Sequence, residues 1–261
     1  MSLAVEVDWA RLKASEVAAR ARANAIVIVP IGATEQHGPH LPSMVDHRLA
    51  QEVALRAARR MFARQPVLVA PVIPYGMSEH HMSLSGTITL DYATMAAVIG
   101  CVVKSAIRHG FKRIFVLNGH GGNTDALRTI VTELTVNHRL PLATGTYWDI
   151  AAKSIKALLD RQEALLHACE AETSMIMALV PELVDPDILS QMHGPIVPGL
   201  SAIPMVNEGV YRWRQLQSRS PNGVIGNAAT ASAAKGEKLL EAIATDLAEA
   251  LLNEALWSAP I

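Results

Sequence analysis

Cysteine is nearly missing from this chain: Cys101 and Cys169 are the only two among 261 residues. Two isolated thiols imply no disulfide framework, and they fit a reducing cytoplasm. Aromatic residues are sparse at 4%, with only three phenylalanines. Charge of one sign is missing too, because 23 Lys and Arg stand against 24 Asp and Glu. That balance provides no global field for nucleic acid or an anionic membrane, and basic runs as short as Arg59–Arg60 do not create one. No apolar run approaches the ~20 residues of a membrane-spanning helix. Glu6 and Asp8 precede any long apolar stretch, so the N-terminus does not read as a secretory leader. The expected compartment is the cytoplasm, and the expected partner is a small molecule.

Half of the residues are hydrophobic and ten are histidine. A chain of this length and apolar content can bury a sizeable core, and residues 1–261 read as a single domain without repeats or low-complexity tracts. Asp8 to Ala21 has the spacing of a short amphipathic helix. Ile26 to Val29 is a β-branched run that ends at Pro30-Ile31-Gly32, as a buried parallel strand does. Helices are expected over Arg48–Phe62, Tyr92–Arg108, Asn123–Asn137, Leu165–Leu179 and Ala228–Trp257. Strands are expected at Val67–Ala70, Arg113–Leu117 and Pro141–Tyr147. Leu183 to Asn227 is broken by five prolines, yet it is too apolar for a disordered linker. Strands alternating with helices give an α/β fold with a mostly parallel sheet covered on both faces. In such sheets the site lies beyond the carboxyl ends of the strands. The loops starting at Gly32, Tyr75, Asn118 and Trp148 should therefore converge on one crevice.

Polar residues fall where this geometry requires them. After the first strand comes Glu35-Gln36-His37-Gly38-Pro39-His40, followed by Asp46. Glu35 and His37 are two apart, so in an extended stretch they point the same way. Carboxylate and imidazole ligands suit Zn²⁺, Mn²⁺ or Fe²⁺, and the lack of thiolates argues against a structural zinc site. After the third strand comes Asn118-Gly119-His120-Gly121-Gly122-Asn123, whose glycines allow close backbone approach. That turn could instead cradle a phosphate, but no dinucleotide or Walker pattern accompanies it. Tyr75 to His81 follows the second strand. Adjacent histidines in an extended loop cannot both face one cleft, so one of His80 and His81 is expected to be structural. On the helix expected from Leu165, His167, Glu170 and Ser174 share a face, with Glu172 roughly opposite. Taken singly, each segment reads as a polar loop or an ordinary helix. Seven of the ten histidines lie in or beside them, counting His47 next to Asp46.

These motifs resemble the creatininase (creatinine amidohydrolase) family. The run from Pro30 through Glu35-Gln36-His37-Gly38-Pro39-His40-Leu41-Pro42 to Asp46 carries the likeness. So do Gly76-Met77-Ser78 to Gly86-Thr87, Asn118 to Asn123, Glu172-Thr173-Ser174, and Gly223 to Gly236. The resemblance implies a three-layer α/β/α fold, a homohexamer, and two divalent metals per subunit, with zinc first and manganese or iron as alternatives. It implies that Glu35 and His120 bind one metal and His37 the other, with Asp46 bridging. In creatininase proper the Asn-Gly-His motif continues with a tyrosine and a glutamate ligand. Here Gly121 and Gly122 stand at those places. Many members with the Gly-Gly form carry a glutamate on the later helix, and that ligand is matched here to Glu170, leaving Glu172 as a structural carboxylate or one that supports the ligands. His167 is expected to move a proton to the leaving nitrogen, and Ser78, His81 and Gly121 to contact substrate.

The implied activity is hydrolysis of a small cyclic amide, a formamide or a related substrate by a hydroxide held between two metals. The tyrosine missing at Gly121 weighs against creatinine itself. Alternatives are a cyclic ketone, lactone or peptide substrate, a metal-binding family member without catalysis, and a phosphate-binding protein using the Asn118–Asn123 turn.

Overall fold

The computed structural model describes residues 6–195, 205–207 and 210–260. At its centre is a four-stranded parallel sheet of β1 (Ile26–Ile31), β2 (Val67–Val69), β3 (Arg113–Asn118) and β4 (Leu142–Thr146), in the order β2-β1-β3-β4. Every residue of β1 is buried. The alternation along β1 explains this: Ile26 and Ile28 face one apolar cluster, and Val27, Val29 and Ile31 face the other. A parallel strand between two helical layers must be apolar on both faces.

The first layer contains α2 (Val45–Met61), α6 (Ala152–Leu158), α7 (Glu170–Leu179) and α8 (Ala233–Leu251). The second contains α1 (Ala14–Arg22), α3 (Tyr92–Arg108) and α4 (Thr124–His138). The helix expected over Tyr92–Arg108 forms with those bounds, and Asp91 caps it by accepting the Thr94 N–H at 2.7 Å. The stretch from Asp8 is shorter than expected as a helix: a 3-10 turn at Trp9–Arg11 precedes α1. The final helix is also shorter, because α8 begins at Ala233, capped by Ser232, and a separate 3-10 turn follows at Glu254–Trp257. Short helices α5 (Tyr147–Ile150) and α6 follow β4 where no helix was expected. Part of the proline-rich stretch, residues 196–204 and 208–209, lies outside the described residues. The remainder contains 3-10 turns at Pro181–Leu183 and Leu189–Gln191 and a hairpin of β5 (Met205–Asn207) and β6 (Val210–Tyr211).

The largest difference lies at α7. The helix expected from Leu165 starts only at Glu170. His167 instead pairs with Ile225 as an isolated antiparallel bridge, with its N–H on the Ile225 carbonyl at 3.1 Å. Ala168 then takes φ +53°, a left-handed conformation that breaks the helix.

The order of the sheet creates the crevice. The chain leaves β1 toward β2 on one side, while β3 and β4 extend the sheet on the other, so the loops after β1 and β3 part at the sheet's carboxyl edge. The first turn of α2 drops into that gap. A Cβ on Gly32 would lie 2.4 Å from the His47 nitrogen, and one on Gly119 would lie 2.7 Å from the Asp46 carbonyl oxygen. Glycine at both strand ends therefore lets α2 approach closely enough to deliver Asp46 to the crevice.

Candidate active site

Four loops line one cavity of about 460 Å³: Glu35 after β1, His80 and His81 after β2, His120 and Gly121 after β3, and Trp148 after β4. The convergence expected from the alternation of strands and helices is what the structure shows. Two asparagines hold the loops in place. Asn118 accepts the His120 N–H at 3.0 Å and donates to the His120 carbonyl at 2.8 Å. Asn123 accepts the Met77 N–H at 2.9 Å and donates to the Gly32 carbonyl at 3.1 Å, tying together the loops after β1, β2 and β3.

The acidic and imidazole groups meet at Asp46. Its Oδ1 is 3.1 Å from His37 Nε2, and its Oδ2 is 2.9 Å from His120 Nδ1. Glu35 Oε1 lies 3.3 Å from His120 Nδ1, and Glu172 Oε2 lies 3.8 Å from His37 Nε2. Two donor sets result: Glu35, Asp46 and His120 on one side, and His37, Asp46 and Glu172 on the other, each with ligand atoms within 4.8 Å of one another. A third set joins Glu35, His37 and His167.

The chemistry of these atoms fits divalent cations. Glu35 Oε2, His37 Nε2 and Asp46 Oδ2 are buried without a hydrogen-bond partner. His37 Nδ1 lies 3.1 Å from the Glu35 carbonyl and His120 Nε2 lies 3.1 Å from the Met77 carbonyl. A carbonyl can only accept, so these nitrogens carry the protons and the opposite nitrogens turn lone pairs toward Asp46, as metal-binding histidines do. Three carboxylates, Glu35, Asp46 and Glu172, are nearly inaccessible, and their ion pairs are with histidines. Such a cluster costs several kcal/mol unless positive charge compensates it.

The ionisation equilibria show the same demand. Burial opposes charge on His37, but Asp46 and Glu172 outweigh it and carry the imidazole up to about 9. Burial also opposes charge on His120, yet Glu35 and Asp46 hold it well above its ordinary value. Burial pushes Glu172 up to about 8 against the pull of His37, and raises Glu35 against the pull of His120. His81 and His167 are driven well below their ordinary value by burial and by neighbouring imidazoles.

The residues expected from the sequence separate into two groups. Glu35, His37, Asp46 and His120 come together. Glu170 does not join them. Its carboxylate accepts the Asp160 N–H at 3.0 Å and the Arg161 N–H at 3.1 Å and pairs with Lys235. Glu172 stands at the cluster instead, held by the Ala168 N–H at 2.6 Å. The reason is the late start of α7. With His167 outside the helix, sharing a helical face with Glu170 does not bring Glu170 to the cavity, and the left-handed Ala168 directs its N–H at Glu172.

His167 does reach the cavity. Its Nε2 donates to the Gln36 carbonyl at 3.0 Å, leaving Nδ1 facing Glu35 at 3.8 Å. The Gln36 side-chain amide, 3.0 Å from that same Nε2, donates to His81 Nδ1 at 2.8 Å. His81 Nε2 is thereby turned toward Glu35 Oε1 at 3.3 Å. Gln36 had no role in the sequence reading; its place between Glu35 and His37 was the available signal. Gly121 and His81 line the cavity, whereas Ser78 is fully buried beneath His120, 3.4 Å from its Nε2. Both His80 and His81 line the cavity, contrary to expectation, because a 3-10 turn at Glu79–His81 replaces the extended loop.

Known proteins share this arrangement of chain. The chain is 33% identical over 225 residues, 84% of its length and 82% of the relative's, to the mycofactocin precursor peptide peptidase of Mycobacterium ulcerans (strain Agy99). It is 28% identical over 266 residues, 95% of each chain, to the creatinine amidohydrolase of Pseudomonas putida. Among solved structures it superposes on one described as creatininase Mn with a TM-score of 0.75, at 29% identity, over 96% of this chain and 99% of that one. A family model described as creatininase, creatinine amidohydrolase, matches residues 10–251. By that match across nearly its whole length, the chain belongs to the creatininase family.

Proposed function

We propose that this chain is a metal-dependent hydrolase of amide C–N bonds whose site holds two divalent cations, zinc or manganese. The observation that carries this reading is Asp46, whose two carboxylate oxygens divide between two donor sets. Glu35 and His120 would hold one cation and His37 and Glu172 the other, with Asp46 shared. Bound there, the pair supplies Lewis acidity to a carbonyl and brings a water's pKa toward neutrality.

The chain's own residues do the rest. His167 is neutral at physiological pH and presents Nδ1 to the cavity, so it can take up a proton there and return it to the leaving nitrogen. The Gln36 carbonyl fixes its ring by accepting from Nε2. His81 turns Nε2 toward Glu35 Oε1 at 3.3 Å, and Leu165, Leu166 and Ile225 give the cavity an apolar wall that limits water. A peptide amide is favoured over creatinine by Gly121, which leaves no tyrosine to close around a small ring, and by the 33% identical relative named as a peptide peptidase.

Metal analysis should find about two cations per chain, and chelation should abolish hydrolysis across a screen of cyclic amides, formamides, lactones and short peptides. His167→Ala should keep the metal and lower kcat by about 100-fold or more. Unchanged turnover would remove the proton-transfer role. Full metal content in Asp46→Ala would overturn the shared-ligand assignment.

A further inference from the structure

A second cavity, about 600 Å³, adjoins the first and shares His80, Gly121 and Asp125 with it. The mechanism above does not use it. Its character differs: three exposed aromatic side chains, Tyr92, Tyr211 and Trp213, stand around it. Single exposed aromatics are ordinary, but three gathered on one concavity mark a binding surface. His80, Gly121 and Asp125 form the shared wall, and at Gly121 no side chain separates the cavities. The φ of Gly121 is not in the left-handed region, so a side chain there would meet no backbone strain. Glu79, Asp91 and Asp125 outnumber Arg214 along the lining, which disfavours an anionic group.

We propose that the two cavities form one bipartite site for an extended, peptide-like amide. The cleaved bond lies at the Asp46 cluster. An uncharged, apolar or aromatic part of the substrate passes over Gly121 and rests between Tyr92 and Trp213. This rests on the hydrolase reading above and adds to it where the unreacting part of the substrate is held. Binding energy from such a remote group can raise kcat/KM for long substrates.

The test uses the metal-loaded protein with two kinds of probe, N-acetylglycinamide and a panel of acetylated hexapeptide amides with phenylalanine at successive positions. Both hydrolysis and calorimetric binding are measured. The best hexapeptide should exceed the short amide in kcat/KM at least 100-fold. Gly121→Phe, which fills the passage, and Trp213→Ala, which removes one wall, should each reduce that ratio at least tenfold with metal content retained. Hydrolysis of the short amide without preference for any hexapeptide overturns the bipartite site and leaves the hydrolase reading intact. So does a ratio unmoved by both variants. If no probe is cleaved, the hydrolase reading fails, and binding decides the second cavity. Hexapeptide affinity lost in both variants supports it, and no binding by the unaltered protein overturns it.

Discussion

Glu170 and Glu172 are two residues apart on one helix turn, both buried, and they have opposite surroundings. Glu170 faces Lys235 and two backbone N–H donors; Glu172 faces His37. One carboxylate ties elements together, and the other adds a third carboxyl group to a cluster that already holds two. Their substitutions should therefore diverge. Glu172→Ala should lower metal affinity on the order of 100-fold, read by competition with a chromogenic chelator, and should leave the fold intact. Glu170→Gln should retain metal but lose about 3 kcal/mol of stability in urea titration, because Lys235 is left without its buried partner. The reverse pattern would make Glu170 the ligand. Nothing in the local sequence separates the two, since both follow an apolar stretch. The distinguishing facts are the backbone turn at Ala168 and the arrival of Lys235 from a helix 65 residues later.

At the scale of elements, legibility followed local pattern. β1, β3 and α3 were readable because their apolar spacing, glycine stops and Asp91 cap are encoded within the element itself. The start of α7 was not readable, because residues 165–169 have helical composition and are held out of the helix by pairing with Ile225. Packing of α7 against α8 also depends on a distant residue. A Cβ on Gly236 would lie 1.8 Å from the Ser174 carbonyl oxygen, closer than any side chain can come. Gly236→Ala should force the helices apart and cost at least about 2 kcal/mol. Because α7 carries Glu172, the shift should also weaken metal binding. A thermal midpoint and a metal affinity that both match the unaltered protein would show that α7 and α8 separate freely.

For the whole molecule, the buried cluster links stability to pH and to metal. In metal-stripped protein, Glu172 keeps its proton up to about 8 when folded and releases it near 4.5 when unfolded. His37 holds its proton up to about 9 when folded, against 6.5 unfolded. In both cases the folded state binds more protons inside the window, so stability is greatest below the unfolded value and is lost as pH rises. Each such group contributes about 1.4 kcal/mol per pH unit within its window. Asp46 is held low and titrates beneath this range. Chelator-treated protein should lose at least about 5 °C of midpoint between pH 6 and pH 9. Metal-loaded protein, whose carboxylates are already ionised, should change much less across the same range. Equal slopes in both forms would mean that the cluster is not the metal site.

The amino-acid sequence by itself determined the alternation of strand and helix, the carboxyl-edge location of the crevice, and the gathering of Glu35, His37, Asp46 and His120 there. These are local properties: apolar period, glycine at strand ends, and residue types at short spacing. Tertiary structure alone decided which glutamate meets His37, that Gln36 orders two histidines, that Ser78 lies beneath the site, and that a second cavity adjoins the first. Each of these depends on contacts between segments far apart in the chain. Burial, pairing and backbone approach across such separations are set by packing, and no local pattern specifies them.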